Sequence, residues 1–158
     1  MTSKVTHEKA LQKLETICRE RGGRLTRLRR AVAAMLLKAA HPLSAYQLLG
    51  MLRPEGGAFS PISVYRSLDF LIEQGFVHRL ETTRTYIACA HFDCPHPLLF
   101  LICRQCGMVV ETEDKRVGAA TESLGRRLRF VLDQRTIELT GLCKSCRAKQ
   151  IAARALSS

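Results

Sequence analysis

Four of the seven cysteines fall in two Cys-x-x-Cys pairs, Cys103-Arg104-Gln105-Cys106 and Cys143-Lys144-Ser145-Cys146. A pair on a turn offers two thiolates to one ion, and two pairs offer the tetrahedral four-sulfur set that holds structural zinc. Such a site has no open coordination position, so it braces a fold and does not activate water. The 36 residues between the pairs exceed the ~15–20 of a compact zinc ribbon, so the ion would clasp two ends of a domain. Gly107 follows one pair and Gly141 precedes the other, a setting that suits knuckle-like turns. Two other readings compete. A thioredoxin-type redox site needs one pair in a βαβ context, and ordinary core cysteines need no pattern at all.

A second pool of donors comprises His78, Cys89, His91, Cys94, His96 and Glu111. Imidazole, thiolate and carboxylate together suit zinc, and thiolate disfavours hard cations such as Mg²⁺. Spacing alone leaves open whether this pool forms a second metal site and which members would ligate. Cys18, His7 and His41 stand apart and read as packing residues. A zinc hydrolase or deaminase would need an open metal position and a general base. The deaminase signature His-x-Glu with Pro-Cys-x-x-Cys does not occur. That class stays open as a rival on the residues alone, while the expectation is a chain that is not an enzyme and takes no small-molecule substrate.

Two groups of elements must position these donors. Leu11, Leu14, Ile17 and Cys18 recur at helical spacing, predicting a helix from Thr6 to about Arg21 that stops at Gly22-Gly23. Thr26 caps a second helix, Arg27 to Ala40, interrupted by His41-Pro42, and Ser44 caps a third, Ala45 to Arg53. Pro54 to Ala58 reads as a loop. Ser60-Pro61 opens a fourth helix that runs to Gln74 and ends at Gly75. The period then changes to two: Phe76 to Glu81 and Thr85 to Cys89 around Thr82-Thr83-Arg84 predict a β-hairpin. Helices followed by a hairpin is the winged helix-turn-helix order.

Residues 1–88 are thus expected to form a winged-helix domain and 89–97 a hinge. Residues 98–158 form a small α/β unit: strands at Leu98 to Cys103, Met108 to Thr112 and Arg135 to Leu139, with helices at Lys115 to Leu128 and Lys144 to Leu156. A unit of this size buries little core alone and needs a metal or a partner chain. The fold class is α+β.

The charge fits this division. The 158-residue chain carries 25 basic and 14 acidic side chains, net +11, with 14 of the basic and 7 of the acidic residues in positions 1–88. A basic excess favours a polyanionic partner. Lys13, Arg24, Arg27, Arg29 and Arg84 are candidates for phosphate contacts. The longest apolar runs, Ala31 to Leu37 and Leu98 to Ile102, fall far short of the ~20 residues of a membrane helix. No secretory h-region opens the chain. A soluble, cytoplasmic protein with reduced thiols is expected.

Taken together, Arg24-Leu25-Thr26, Ser44-Ala45-Tyr46, Val64 to Leu71, Glu73-Gln74-Gly75-Phe76-Val77-His78 and the two cysteine pairs resemble the ferric uptake regulator family. Within it, they resemble the zinc uptake regulator branch. The resemblance runs from about Leu14 to Cys146. It implies a homodimer with an N-terminal winged helix-turn-helix domain and a C-terminal dimerisation domain. It further implies repression of zinc-uptake genes on double-stranded operator DNA when metal is bound.

By similarity, structural zinc falls on Cys103, Cys106, Cys143 and Cys146, and regulatory zinc on His78, Cys89, His96 and Glu111, two Zn²⁺ per chain. The helix that enters the major groove corresponds to Ser60 to Gln74. The DNA-contacting set corresponds to Tyr46, Ser63, Tyr65 and Arg66, with Arg24 and Arg84 as further basic contacts. The family's Thr-Pro-Gln-Arg motif is here Thr26-Arg27-Leu28-Arg29, and the hinge is about one residue shorter than in some relatives, so His91 or Cys94 competes with His96. An iron- or peroxide-sensing member of the same family, and a DNA-binding protein with purely structural zinc, are the alternatives. The expected mechanism has regulatory zinc bridging the two domains and fixing the hinge, so that two recognition helices match successive major grooves ~34 Å apart.

Overall fold

The computed structural model describes residues 2–52, 59–89, 98–132 and 136–155. The loop expected at Pro54 to Ala58, most of the expected hinge, and the candidate ligands His91, Cys94 and His96 lie outside the described residues. The chain divides into two compact units, Met1–Asp93 and Cys94–Ser158.

The first unit packs four helices, α1 (Thr2–Glu20), α2 (Arg27–Lys38), α3 (Ala45–Leu52) and α4 (Pro61–Glu73), with a hairpin of β1 (Val77–Leu80) and β2 (Thr85–Ala88). Local chemistry sets the helix limits. Thr26 accepts from the Arg29 N–H at the start of α2, and Ser60 accepts from the Ser63 N–H at the start of α4, where Pro61 occupies the first turn. At the end of α4 the Gly75 N–H donates to the Ile72 carbonyl and the Phe76 N–H to the Leu71 carbonyl. That pair of bonds requires a left-handed residue, and Gly75 supplies it at φ 72°. Leu14, Val32, Leu48, Leu52, Val64, Leu68, Leu71 and Phe76 are fully buried and form one continuous core. Removing a leucine side chain from such a core costs ~2–5 kcal/mol.

The hairpin pairs Val77 with Ala88 and Leu80 with Thr85, closed by a turn in which Arg84 takes a left-handed φ of 53°. It is fastened to the helices by a two-way backbone exchange. The Leu43 N–H donates to the Tyr86 carbonyl (3.0 Å) and the Tyr86 N–H to the Leu43 carbonyl (2.8 Å). Leu43 lies just before α3, so the hairpin is anchored at the entry to the helix-turn-helix.

The second unit is a three-stranded sheet in the order β4-β3-β5, with β3 (Leu98–Cys103) antiparallel to β4 (Val109–Thr112) and parallel to β5 (Thr136–Gly141). Helix α5 (Lys115–Arg127) connects β4 to β5, and α6 (Lys144–Ala155) follows β5. One face of β3 buries Phe100 and Ile102. The other carries Leu101, which stands in register with Val110 on β4 and Leu139 on β5. Those three side chains remain 44%, 42% and 51% exposed and, with Met108 and Leu142, line a shallow cavity of about 290 Å³. The α+β class and the order of elements agree with the expectation from sequence. No helix among the described residues is long and apolar enough to cross a membrane.

Candidate metal centre and nucleic-acid interface

Parallel pairing of β3 with β5 puts Cys103 opposite Gly141, and so brings the two cysteine pairs to one end of the sheet. Cys103 ends β3, Cys106 sits in the turn after it, Cys143 lies between β5 and α6, and Cys146 is in the first turn of α6. All four sulfurs lie within 4.8 Å of one another, and the Cys106 and Cys143 Sγ atoms are 3.8 Å apart. A tetrahedron with Zn–S bonds of ~2.3 Å has edges of about 3.8 Å. The spacing is far longer than a ~2.05 Å disulfide bond, and all four are free thiols.

The surrounding backbone favours ionised sulfur. The Cys143 N–H points at Cys103 Sγ (3.4 Å), and this contact, followed by those from the Cys106 and Gln105 amides, pulls the Cys103 thiol down to about 6. Cys146 moves the opposite way, to about 12, chiefly because it shares a hydrogen bond with Cys143, and secondarily through burial. Four sulfurs this close cannot all ionise beside one another; a divalent cation removes the conflict. The donor set therefore fits zinc, and its closed geometry fits a structural ion.

Of the second pool, His78 lies on β1 and Cys89 directly follows β2, its N–H donating to the Phe76 carbonyl (2.8 Å). Hairpin pairing brings their donor atoms within 4.8 Å, with Cys89 buried and His78 half-buried. Glu111 belongs to the second unit, on β4 opposite Phe100. His96 is outside the described residues.

The candidate DNA-contacting residues spread over the helices and the hairpin. Tyr46 on α3 is 80% exposed and Tyr65 on α4 is 51% exposed, so neither hydroxyl-bearing ring is a packing residue. Arg66 is exposed beside Tyr65 on α4, Arg24 is exposed in the turn before α2, and Arg84 is exposed in the hairpin turn. Ser63 is committed locally: its hydroxyl lies 2.9 Å from that of Ser60 in the α4 cap. Arg29 departs from the phosphate-contact expectation. It is half-buried, its guanidinium stacks 3.5 Å from the Phe70 ring centroid, and its Nη1 donates to the Arg24 carbonyl (2.6 Å).

Sequence reading missed three features: this stack, the Leu43–Tyr86 exchange and the exposed Val110–Leu101–Leu139 row. Only the last left a trace, since an unbroken apolar run such as Leu98 to Ile102 needs cover on both faces of its strand.

The chain is similar to known proteins over most of its length. The model of the Ferric uptake regulator family matches residues 20–140. The Zinc uptake regulation protein of Escherichia coli strain K12 is 40% identical over 144 residues, covering 90% of this chain and 84% of its own. That of Mycobacterium tuberculosis strain H37Rv is 32% identical over 130 residues, covering 80% and 97%. A zinc uptake regulator solved in complex with zinc and DNA superposes with a TM-score of 0.86 at 38% identity, covering 92% of this chain and 98% of that one.

Proposed function

The chain belongs to the ferric uptake regulator family, and from that premise we propose that it is a zinc-responsive transcriptional repressor. It binds operator DNA as a homodimer when zinc-loaded and represses zinc-uptake genes. It is a regulator and not an enzyme. The observation that carries this reading is the presence, in one chain, of a four-sulfur zinc cradle and a winged-helix surface that turns Tyr46, Tyr65 and Arg66 outward. Acting on the chromosome, it works in the cytoplasm.

Each part of the molecule has a task under this reading. Cys103, Cys106, Cys143 and Cys146 hold structural zinc. His78 and Cys89, with His96 and Glu111, make up the regulatory set, bringing the count to two ions per chain. Helix α4 reads base edges, with Arg66 suited to a bidentate contact to guanine O6 and N7. Tyr46, Ser63 and Tyr65 support it, and Arg24 and Arg84 reach phosphates. The exposed row of Val110, Leu101 and Leu139 supplies the dimer contact.

Regulation then follows from linkage. Regulatory zinc raises DNA affinity only by the difference in its own affinity for the DNA-competent and incompetent forms, typically ~1–3 kcal/mol, and DNA tightens zinc by the same factor. The test is a Zn²⁺ titration against a duplex selected from a random-sequence library by the zinc-loaded protein. Wild type should show zinc-dependent binding, and Cys89→Ser should lose that dependence while the four-cysteine ion stays bound. A Cys89→Ser protein with unchanged affinity and zinc dependence would overturn the assignment of the regulatory set.

A further inference from the structure

The turn between α1 and α2, together with the start of α2, is tied to the far end of α4 by three separate contacts. Arg21 Nη1 donates to the Gln74 carbonyl (3.3 Å). Gly23 packs so closely on Phe70 that an added Cβ would lie 3.3 Å from the ring Cε2. Arg29 stacks its guanidinium on the same ring at 3.5 Å and, from the same group, holds the Arg24 carbonyl at 2.6 Å.

Phe70 lies one helical turn beyond Arg66 on α4, so the ring that receives Arg29 neighbours the residue assigned to base contact. Arg24, whose backbone is held, is an assigned phosphate contact. A single cation thus connects a base-reading side chain and a phosphate-reaching loop through packing inside the protein.

We propose that Arg29 is a positioning residue for DNA recognition: stacked on Phe70, it fixes the pitch of α4 against the Arg24 loop, and does not itself bind phosphate. This rests on the reading of the chain as a DNA-binding repressor. The chemistry separates the two roles. A phosphate contact needs a positive charge, which lysine supplies; a stacked strut needs the planar fork of arginine, which lysine lacks. A cation over an aromatic face also needs the ring's π surface, which leucine lacks and tyrosine keeps.

The experiment measures zinc-loaded affinity for the selected duplex and for a scrambled one, as a function of salt, in wild type, Arg29→Lys, Phe70→Leu, Phe70→Tyr and the Arg29→Lys/Phe70→Leu double variant. Enrichment of a duplex by wild type tests the DNA-binding reading separately, before any variant is made. The expected result is a fall of about tenfold in the preference for the selected duplex in both Arg29→Lys and Phe70→Leu. The double variant should be no worse than the poorer single, and Phe70→Tyr close to wild type. The salt slope should change by much less than the ~0.9 that accompanies removal of one phosphate neutralisation.

An Arg29→Lys protein within twofold of wild type would overturn the proposal, as a retained charge would then suffice. So would losses that multiply in the double variant, or a Phe70→Tyr protein as impaired as Phe70→Leu. The two Phe70 variants keep the test decisive if Arg29→Lys proves unstable.

Discussion

Cys106 and Cys143, 37 positions apart in the chain, hold their sulfurs 3.8 Å from each other across the end of the second unit's sheet. Nothing local makes that approach; it depends on β3 and β5 lying side by side with Cys103 opposite Gly141. The cradle is therefore a product of the sheet, and the ion it suits returns stability to the sheet.

Cys106→Ser should reduce bound zinc by about one ion per chain, measured by elemental analysis of protein purified without added metal. Structural zinc contributes ~10–16 kcal/mol of apparent binding free energy in small metal-dependent domains, more than a unit of this size can otherwise muster. Loss of ordered structure in the second unit, seen by circular dichroism, should accompany the loss of metal. A variant that keeps full zinc content would remove Cys106 from the ligand set.

Leu101→Asp should halve the molar mass measured by light scattering. Leu101 is flanked in register by Val110 and Leu139, and a carboxylate there would meet its own copy across a two-fold interface with no partner to neutralise it. A dimer that persists through this change would place the contact elsewhere.

Arg66→Ala should weaken binding to the selected duplex by ~1–3 kcal/mol, about 5- to 150-fold, the worth of a bidentate contact to guanine. Affinity for a scrambled duplex should change much less. Equal losses on both duplexes, with the salt slope reduced by about one unit, would identify Arg66 as a phosphate contact.

Asp114 caps α5, accepting from the Arg116 N–H (2.8 Å) and guanidinium (3.0 Å), and the Arg116 side chain holds its carboxyl below the ordinary value of 3.8. A lowered carboxyl contributes its full stability above that ordinary value and loses it as the pH falls through the lowered one. Asp114→Ala should therefore lower the thermal midpoint at neutral pH, and the gap from wild type should close on acidification below about pH 4. A gap that stays constant through that range would separate the cap's contribution from its charge.

Legibility from sequence followed how local the determining physics is. Helix α4 was expected from Ser60-Pro61 to Gln74 and occupies Pro61–Glu73, because the cap, the proline and the Gly75 terminator are neighbours of the residues they control. Strand β3 falls on Leu98–Cys103 as expected. Helix α2 was expected to reach Ala40 but ends at Lys38, where Ala39 turns extended at ψ 131° ahead of the Leu43 pairing with the hairpin. Strand β5 was expected at Arg135 to Leu139 and runs Thr136–Gly141, two residues longer at its end because β3 offers partners as far as Cys103.

The four-cysteine cradle was legible because ligand spacing is a sequence property. The Arg29–Phe70 stack was not: nothing near either residue announces the other, and only packing of α2 on α4 brings them together.

Alternation along β3 sets Leu101 and Cys103 on one side of the strand and Phe100 and Ile102 on the other. Sliding β5 by a single position would leave those sides as they are but turn β5 itself over, taking Leu139 off the Leu101 face and setting Glu138 or Thr140 there. The cysteine pairs, gathered at the ladder's far rung, act as a mechanical stop against that slip. Metal status and self-association should consequently rise and fall together, so that weighing the particle in solution becomes an indirect assay for whether its thiols are occupied.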